Sequence, residues 1–272
     1  MTVPVTFVLT SCRRFDLLER TLASFLISND YPIARYIIIE DSPDRGVLAM
    51  RERFPDVPLE IYLNDPAVGQ MRSIDRAYAL VETEFVFHCE DDWLFTRPGV
   101  IESSLALLQA FSNVTMVLPV SPAEVGQIVR LPIETESGVR YHPIDPRRHH
   151  HWGGLSLNPG LRRLSHYKKC RTFRALGSES AASAAYKRMG LRMVMLEDGG
   201  VVHIGGERSA RKSERPKALR RSIQRLRRSL AARLLHAVWL RSKDAGTWFP
   251  VRFKDVEMAA SEISPSDRSN RS

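Results

Sequence analysis

Three consecutive carboxylates follow an apolar run near residue 90. Residues 85–89 read Phe-Val-Phe-His-Cys, which is typical of a buried strand, and Glu90, Asp91 and Asp92 come directly after them. Like charges this close repel one another, and burying them without partners is expensive. A cation is therefore expected beside them, and a divalent metal that carries a phosphorylated substrate is the natural candidate. Taken alone, an acidic triplet after a strand is more often a solvated turn.

The N-terminal half of the chain alternates between apolar runs and segments of helical spacing. Apolar runs typical of buried strands cover residues 5–10, 35–39, 59–63 and 84–89. Segments in which apolar residues recur at helical spacing separate them, at 14–25, 47–53 and 70–81. This order predicts an α/β fold with a Rossmann-like, mostly parallel central sheet and helices on both faces.

Polar side chains stand at the end of each predicted strand. They are Thr10 and Ser11, Glu40 and Asp41, Asn64 and Asp65, and the triplet at 90–92. Ligands of open parallel sheets bind beyond the carboxyl ends of the strands. The sequence therefore predicts one binding site along this rim.

The pattern continues more weakly after residue 97. Helices are expected at 98–111, 161–173 and 179–189, and strands at 114–120, 192–196 and 201–204. Residues 121–152 have weak periodicity and many Pro, Arg and His residues, so we interpret them as an irregular region near the substrate. His149, His150 and His151 cannot all point one way, and an acceptor loop or solvated surface is preferred over a metal site.

With these segments in order, the chain resembles a family 2 glycosyltransferase of the GT-A fold over roughly residues 3–210. The matching segments are Val8-Leu9-Thr10-Ser11-Cys12-Arg13-Arg14, Ile39-Glu40-Asp41-Ser42, Asn64 with Gly69-Gln70-Met71-Arg72, Glu90-Asp91-Asp92 at the DXD position, Gly177-Ser178-Glu179-Ser180, and Val202-His203-Ile204-Gly205. The resemblance implies a nucleotide-sugar-binding half at 1–120 and an acceptor-side half at 121–210.

The resemblance also implies roles for individual residues. Donor and acceptor contacts would come from Thr10, Arg13, Asp41, Asn64, Arg72 and Asp91. Apart from the resemblance, the flat ring of Trp152 suits a sugar or base, and the charge and position of Arg208 suit the diphosphate. Mn²⁺ or Mg²⁺ would be held by Asp92, Glu90 and His203. The family's base motif is commonly Glu-Asp, whereas this chain has Glu179-Ser180, so Glu179 would take the proton.

Each of these residues also has an ordinary structural interpretation. Asp41 precedes Ser-Pro and could form a turn or cap. Glu179 could interact favourably with the dipole of its own helix. A lone histidine after a strand, such as His203, is usually structural.

The bulk properties limit the class of protein. The 272 residues carry a net charge of +9 and a pI near 9.8, and no run of 18 apolar residues occurs. Residues 1–5 lack a basic n-region, so a secretory signal is not expected. Three widely spaced cysteines suit a reduced, cytoplasmic protein better than a disulfide framework.

Basic residues are concentrated in the C-terminal quarter. A helix predicted over residues 216–241 has an apolar face formed by Ile223, Leu226, Leu230, Leu234 and Val238. Within the predicted extension 211–260, this face could pack on the parent domain or place the protein peripherally on an anionic membrane. Nucleic-acid binding is disfavoured because no aromatic interleaving accompanies the arginines. Residues 261–272 are expected to be disordered.

The function hypothesis is a metal-dependent, inverting transfer of a sugar from a nucleotide donor, with a UDP-sugar favoured, to a hydroxyl of a glycan, lipid-linked or small acceptor. A sugar-phosphate nucleotidyltransferase is one alternative, although residues 10–14 contain no glycine for a phosphate loop. A non-catalytic nucleotide- or membrane-binding protein on the same fold is the other.

Overall fold

The computed structural model describes residues 2–121, 131–145 and 153–206. Their strands are β1 (Val5–Ser11), β2 (Ile33–Glu40), β3 (Leu59–Leu63), β4 (Phe85–Glu90), β5 (Trp93–Phe95), β6 (Val114–Leu118), β7 (Glu134–Glu136), β8 (Val139–Pro143), β9 (Gly160–Arg163), β10 (Arg192–Leu196) and β11 (Val201–His203). Their α-helices are α1 (Phe15–Ser28), α2 (Ala49–Arg53), α3 (Gln70–Ala79), α4 (Val100–Ala110), α5 (Leu164–Lys169), α6 (Phe173–Leu176) and α7 (Glu179–Arg188), with a 3₁₀ turn (Arg45–Leu48) before α2.

Nine of the strands form one mixed, mostly parallel sheet. Their order is β3-β2-β1-β4-β9-β6-β10-β8-β7. β1 pairs in parallel with β2 and β4, and β10 pairs in parallel with β6. β5 and β11 form a separate antiparallel pair. The predicted α/β fold with a mostly parallel central sheet is therefore confirmed.

Strand β9 lies where the sequence predicted the start of a helix. Residues 160–163 pair antiparallel with both β4 and β6, and α5 begins only at Leu164. The spacing of Leu161 and Leu164 is compatible with a helix, but Leu161 is buried by its strand neighbours on either side. Tertiary pairing on both edges thus overrides a weak local signal.

A hairpin extends the sheet within the segment that the sequence indicated as irregular. β7 and β8 pair antiparallel, and the turn between them places Ser137 and Gly138 at φ values of 50° and 76°. Two residues with positive φ are typical of a type I′ hairpin turn. The prediction of irregular structure is therefore wrong for residues 134–143.

Aromatic rings hold the strands next to the site against α1. Phe7 of β1 stacks on Phe25 of α1 with 4.1 Å between ring centroids, and Phe87 of β4 lies 5.9 Å from Phe7. Phe95 of β5 closes the cluster 5.0 Å from Phe25. All of these rings are buried, so their packing fixes the position of the end of β1 relative to the end of β4.

Among the described residues, no helix combines the length and apolar composition needed to cross a membrane. The predicted helix at 216–241 and the tail at 261–272 lie outside these residues, as do His149 to His151. Those expectations, and the division into domains, stay predictions.

Replacing Gly160 with alanine should destabilise the protein, because β9 packs tightly against β6. A Cβ at this position would overlap the Val117 carbonyl oxygen and lie 2.7 Å from Met116 Cε. We expect a loss of about 1–3 kcal/mol in the free energy of unfolding, measured by urea denaturation. Gly138→Ala is the comparison, since its Cβ would meet nothing within 4 Å and only its φ of +76° is unfavourable. If Gly138→Ala lost as much free energy of unfolding as Gly160→Ala, or more, the tight packing of β9 against β6 would be contradicted.

Candidate active site

Two of the three consecutive carboxylates are bonded to one arginine. Arg14 Nε donates to Asp91 Oδ2 at 3.2 Å, and its Nη2 contacts Asp91 Oδ1. Arg14 Nη1 donates to Asp92 Oδ2 at 2.7 Å. Asp91 is almost fully buried and Asp92 nearly so. The cation that the sequence required beside these charges is thus supplied, in this structure, by the chain itself.

The turn after β1 brings Arg14 to this position. Arg13 has φ of 55°, and its backbone N–H donates to Glu40 Oε1 at 2.9 Å. The backbone N–H of Cys12 donates to Asp91 Oδ2 at 3.3 Å. Arg14 then occupies the N-cap position of α1. The sequence placed Glu40 at the predicted rim and Arg14 in a matching segment, but neither was assigned a role at the acidic cluster, although two arginines directly after a strand that neighbours the acidic one were an available signal.

Burial and mutual repulsion shift the acidities of this cluster. Burial, then the charges of Asp92 and Asp91, raise the pKa of Glu90 to about 7. Burial raises the pKa of Asp91 to about 6, although Arg14 acts in the opposite direction. Burial acts to lower the pKa of Arg14, but the charges and hydrogen bonds of Asp91 and Asp92 outweigh it and raise this pKa above its ordinary value. Glu90 itself accepts a hydrogen bond from Gln70 Nε2.

His203 reaches the same cluster from β11. Its partner in the β5–β11 ladder is Trp93, which directly follows Asp92, and the two rings lie 5.0 Å apart. His203 Nε2 is 3.3 Å from Asp92 Oδ2. The backbone of Gly205 packs against both side chains, so closely that a Cβ there would overlap Asp92. Two strands remote in sequence therefore deliver one carboxylate oxygen and one imidazole nitrogen to a common point.

This pair fits a divalent ion that is shared with a substrate. Neighbouring ligands of an octahedral ion with bonds of about 2.1 Å lie about 3 Å apart, which matches the Asp92–His203 separation. Among residues 2–121, 131–145 and 153–206, no three His, Cys, Asp or Glu side chains are grouped closely enough to hold a metal. Glu90, the third predicted ligand, is thus not grouped with the other two, and further ligands would come from phosphate oxygens and water.

Asp41 and Asn64 form a hydrogen-bonded pair that supports the loop at residues 64–69. Asp41 Oδ1 accepts from Asn64 Nδ2 at 3.0 Å and from the Val68 N–H at 2.7 Å, while Oδ2 accepts from the Gly69 N–H at 2.8 Å. Asn64 is buried and also donates to Ser73 Oγ at 2.9 Å. These contacts set the path of residues 64–69 and the start of α3.

Thr10, Arg13 and Arg72, three more of the predicted substrate contacts, belong to the end of β1, the turn after it and the start of α3. Thr10 is buried at the end of β1, whereas the side chains of Arg13 and Arg72 are exposed. Arg72 lies in the first turn of α3, next to the loop that Asp41 holds. Trp152 and Arg208 lie outside the described residues.

Glu179 begins α7 on the acceptor side of the predicted site. Ser178 caps the helix by accepting from the Ala181 N–H at 3.1 Å. Glu179 Oε1 accepts from Ser156 Oγ and from the Leu157 N–H, each at 2.9 Å. The charge of Glu179 also contributes to the raised pKa of Glu90, so the two carboxylates interact. Within the described residues, Oε2 accepts no hydrogen bond.

A buried arginine supports the loop that holds Glu179. Arg162 of β9 donates through Nη2 to the carbonyls of Ser156 and Asn158, at 2.7 and 2.9 Å. Its Nη1 donates to Tyr78 Oη at 2.9 Å. Sequence reasoning missed this residue because it lay in a predicted helix.

Comparison with solved structures defines the class of fold. The mannosyltransferase PcManGT from Pyrobaculum calidifontis, in complex with GDP-Man and Mn²⁺, matches 77% of this chain and 59% of its own at 15% identity and TM-score 0.55. GalNAc-T7 with UDP, GalNAc and Mn²⁺ matches 73% of this chain and 44% of its own at 10% identity and TM-score 0.55. S. aureus TarS matches 74% and 36%, at 15% identity and TM-score 0.52.

The chain therefore has the GT-A glycosyltransferase fold, as the resemblance in its sequence implied. It spans between 36% and 59% of the lengths of these three proteins. No family model matches the chain, and no curated protein matches it in sequence.

Replacing Asp41 with asparagine should loosen residues 64–69. The amide would turn one acceptor position into a donor that faces a backbone N–H, whichever way it is oriented. We expect hydrogen-exchange protection of the Val68 or Gly69 amide to fall roughly tenfold or more. Asp44→Asn is the control, since Asp44 accepts from the Gly46 N–H in an exposed turn. Unchanged protection at both amides would show that Asp41 does not hold this loop.

Proposed function

We propose that this protein is a metal-dependent, inverting glycosyltransferase that uses a nucleotide-sugar donor. The observation that carries the proposal is the convergence of Asp92 and His203 beyond the end of β4, with the charge of Glu179 acting on the neighbouring Glu90. The chemistry of these groups supports the proposal, because Asp92 and His203 can hold an ion bound to a diphosphate and Glu179 can accept a proton. The GT-A fold is consistent with it, and solved proteins of that fold were captured with GDP-Man or UDP and Mn²⁺.

Asp92 and His203 would hold the ion, whereas Glu90, the third predicted ligand, is not grouped with them. When bound, a divalent ion offsets the negative charge that develops on the diphosphate leaving group. An imidazole ligand favours Mn²⁺ over Mg²⁺, since Mg²⁺ takes oxygen ligands almost exclusively. Mn²⁺ is therefore the proposed cofactor.

The nucleotide would lie along the rim formed by β1, β2 and β3. Thr10 and Arg13 end β1, Asp41 and Asn64 define the next loop, and Arg72 is an exposed cation beside it. Asp91 is a further proposed donor contact, and it is tied to Arg14. A UDP-sugar is the proposed donor, on the resemblance of Asp41 to the base-contacting aspartate of family 2 enzymes.

Glu179 is proposed to deprotonate the acceptor hydroxyl. Its Oε1 is held by Ser156 and Leu157, which leaves Oε2 to receive the proton. The activated oxygen would attack the anomeric carbon from the face opposite the diphosphate, so the bond to the leaving phosphate oxygen breaks with inversion. Restraint of Oε1 by two donors suits this role because it fixes the direction of Oε2.

The acceptor is proposed to be a hydroxyl of a glycan, a lipid-linked sugar or a small molecule. Trp152 and Arg208 are proposed contacts to the sugar and the diphosphate. The basic segment 216–241 is proposed to touch an anionic membrane surface from the cytoplasmic side, which would bring a lipid-linked acceptor near.

Stabilisation by nucleotides should depend on the metal and on Asp92. We expect UDP with Mn²⁺ to raise the melting temperature by several degrees at about 100 times Kd, and UDP without Mn²⁺ to have little effect. Asp92→Asn should lose the metal-dependent part, because it removes a charged ligand. Asp198→Asn, at an exposed position, is the matched control. A GDP response would keep the enzyme class and change the donor, whereas no response to any nucleotide would contradict the proposal.

Replacing Glu179 with glutamine should abolish transfer without disturbing binding. Glutamine keeps an oxygen for the Ser156 and Leu157 donors but cannot take a proton. We expect kcat to fall roughly 10²–10⁴-fold, with nucleotide affinity unchanged, in an assay of nucleoside diphosphate release. Glu102→Gln, exposed on α4, is the control. Wild-type activity in Glu179→Gln would show that Glu179 is not the base and serves only to hold the 156–158 loop.

The same assay separates the alternative activities. Release of pyrophosphate in place of nucleoside diphosphate would identify a nucleotidyltransferase. Metal-dependent nucleotide binding without turnover on any acceptor would identify a binding protein on this fold.

A further inference from the structure

Arg14 binds the two aspartates in different ways. Two of its nitrogens, Nε and Nη2, contact the two oxygens of Asp91, which is a bidentate ion pair. Asp91 also accepts from the backbone N–H of Cys12. A single nitrogen, Nη1, contacts Asp92. The bond to Asp91 is therefore the anchored one, and the bond to Asp92 is the one that can be exchanged.

The exchangeable bond falls on the oxygen that the proposed metal needs. Asp92 Oδ2 accepts from Arg14 Nη1 at 2.7 Å and lies 3.3 Å from His203 Nε2. A divalent ion bound to this oxygen and to His203 would be within a few ångströms of Nη1. Two cations at that distance, in a partly buried site, repel each other strongly. Arg14 and an ion on Asp92 Oδ2 are thus competitors.

We propose that Arg14 is an exchange residue, whose Nη1 neutralises Asp92 in the ion-free protein and donates instead to the donor's diphosphate when an ion takes Asp92. This role rests on the proposed function and adds a diphosphate-binding residue to it. The bidentate bond to Asp91 fixes the rigid guanidinium at the site, so the exchange replaces the acceptor of Nη1, Asp92 Oδ2, by a phosphate oxygen. The incoming diphosphate replaces the negative charge that Arg14 gives up.

The exchange also explains why a stable protein can carry these carboxylates without an ion. Removing the partner of a buried charge is strongly destabilising, because the remaining charge is uncompensated. Arg14 supplies that compensation to Asp91 and Asp92 at once. The ion site can therefore be preformed and still release its ion with the product.

The test is to measure two affinities separately in Arg14→Met. Without nucleotide, we expect Mn²⁺ to bind Arg14→Met roughly tenfold more tightly than the wild type, as followed by the electron paramagnetic resonance signal of free Mn²⁺. At saturating Mn²⁺, we expect UDP, with GDP in parallel, to bind roughly tenfold more weakly by titration calorimetry. Opposite changes in the two affinities are the signature of exchange.

Controls separate this signature from general damage. Arg35→Met removes another bidentate pair, with Glu60, on the same sheet and should change neither affinity. Arg14→Gln keeps a hydrogen-bonding side chain without the charge, and the same opposite changes are expected if Arg14→Met fails to fold. Weaker Mn²⁺ binding in the Arg14 variants would overturn the proposal, because Arg14 would then only organise the ligands.

The outcomes also distinguish this inference from the function on which it rests. Wild-type protein that binds no nucleotide with Mn²⁺ would overturn both. Wild-type protein that binds nucleotide and metal, with both affinities unchanged in Arg14→Met and Arg14→Gln, would overturn the role of Arg14 and leave the glycosyltransferase proposal standing.

Discussion

The ion pair that Arg14 forms with Asp91 and Asp92 is the interaction on which the rest of the site depends. Three consecutive carboxylates at the end of a buried strand require compensation, and the parallel pairing of β1 with β4 brings an arginine to them. Glu40 holds the turn that carries this arginine, through the Arg13 N–H. The aromatic cluster beneath keeps the two strand ends together, so the charged groups are positioned by apolar packing.

A second network holds Glu179 in place. Arg162 holds the 156–158 loop by its carbonyls, and that loop in turn donates two hydrogen bonds to Glu179. Strand β9 makes this possible because it places Arg162 between β4 and β6, beneath the loop. The Arg14 network and the Arg162 network are thus both supported by β4, which pairs with β1 on one edge and with β9 on the other.

Asp41 and Asn64 show how polar side chains can set the course of a loop. Both oxygens of Asp41 accept hydrogen bonds from the loop that follows Asn64. These hydrogen bonds set the course of residues 64–69, which lead into α3 and the exposed side chain of Arg72. The contribution of Asp41 to holding this loop can be measured without any ligand, as the hydrogen-exchange protection of the Val68 and Gly69 amides.

The sequence by itself determined the sheet-and-helix order, the rim of polar strand ends and the need for a cation at residues 90–92, because apolar periodicity and charge repulsion are local properties. It also indicated His203 and Glu179, through resemblance to a family. Only the tertiary structure decided that Arg14 is the cation, that β9 is a strand and that Arg162 supports Glu179. Each of these depends on contacts between segments tens of residues apart, and such contacts leave no periodic signal in the chain. Strand pairing on both edges made 160–163 extended, whereas local spacing alone favoured a helix.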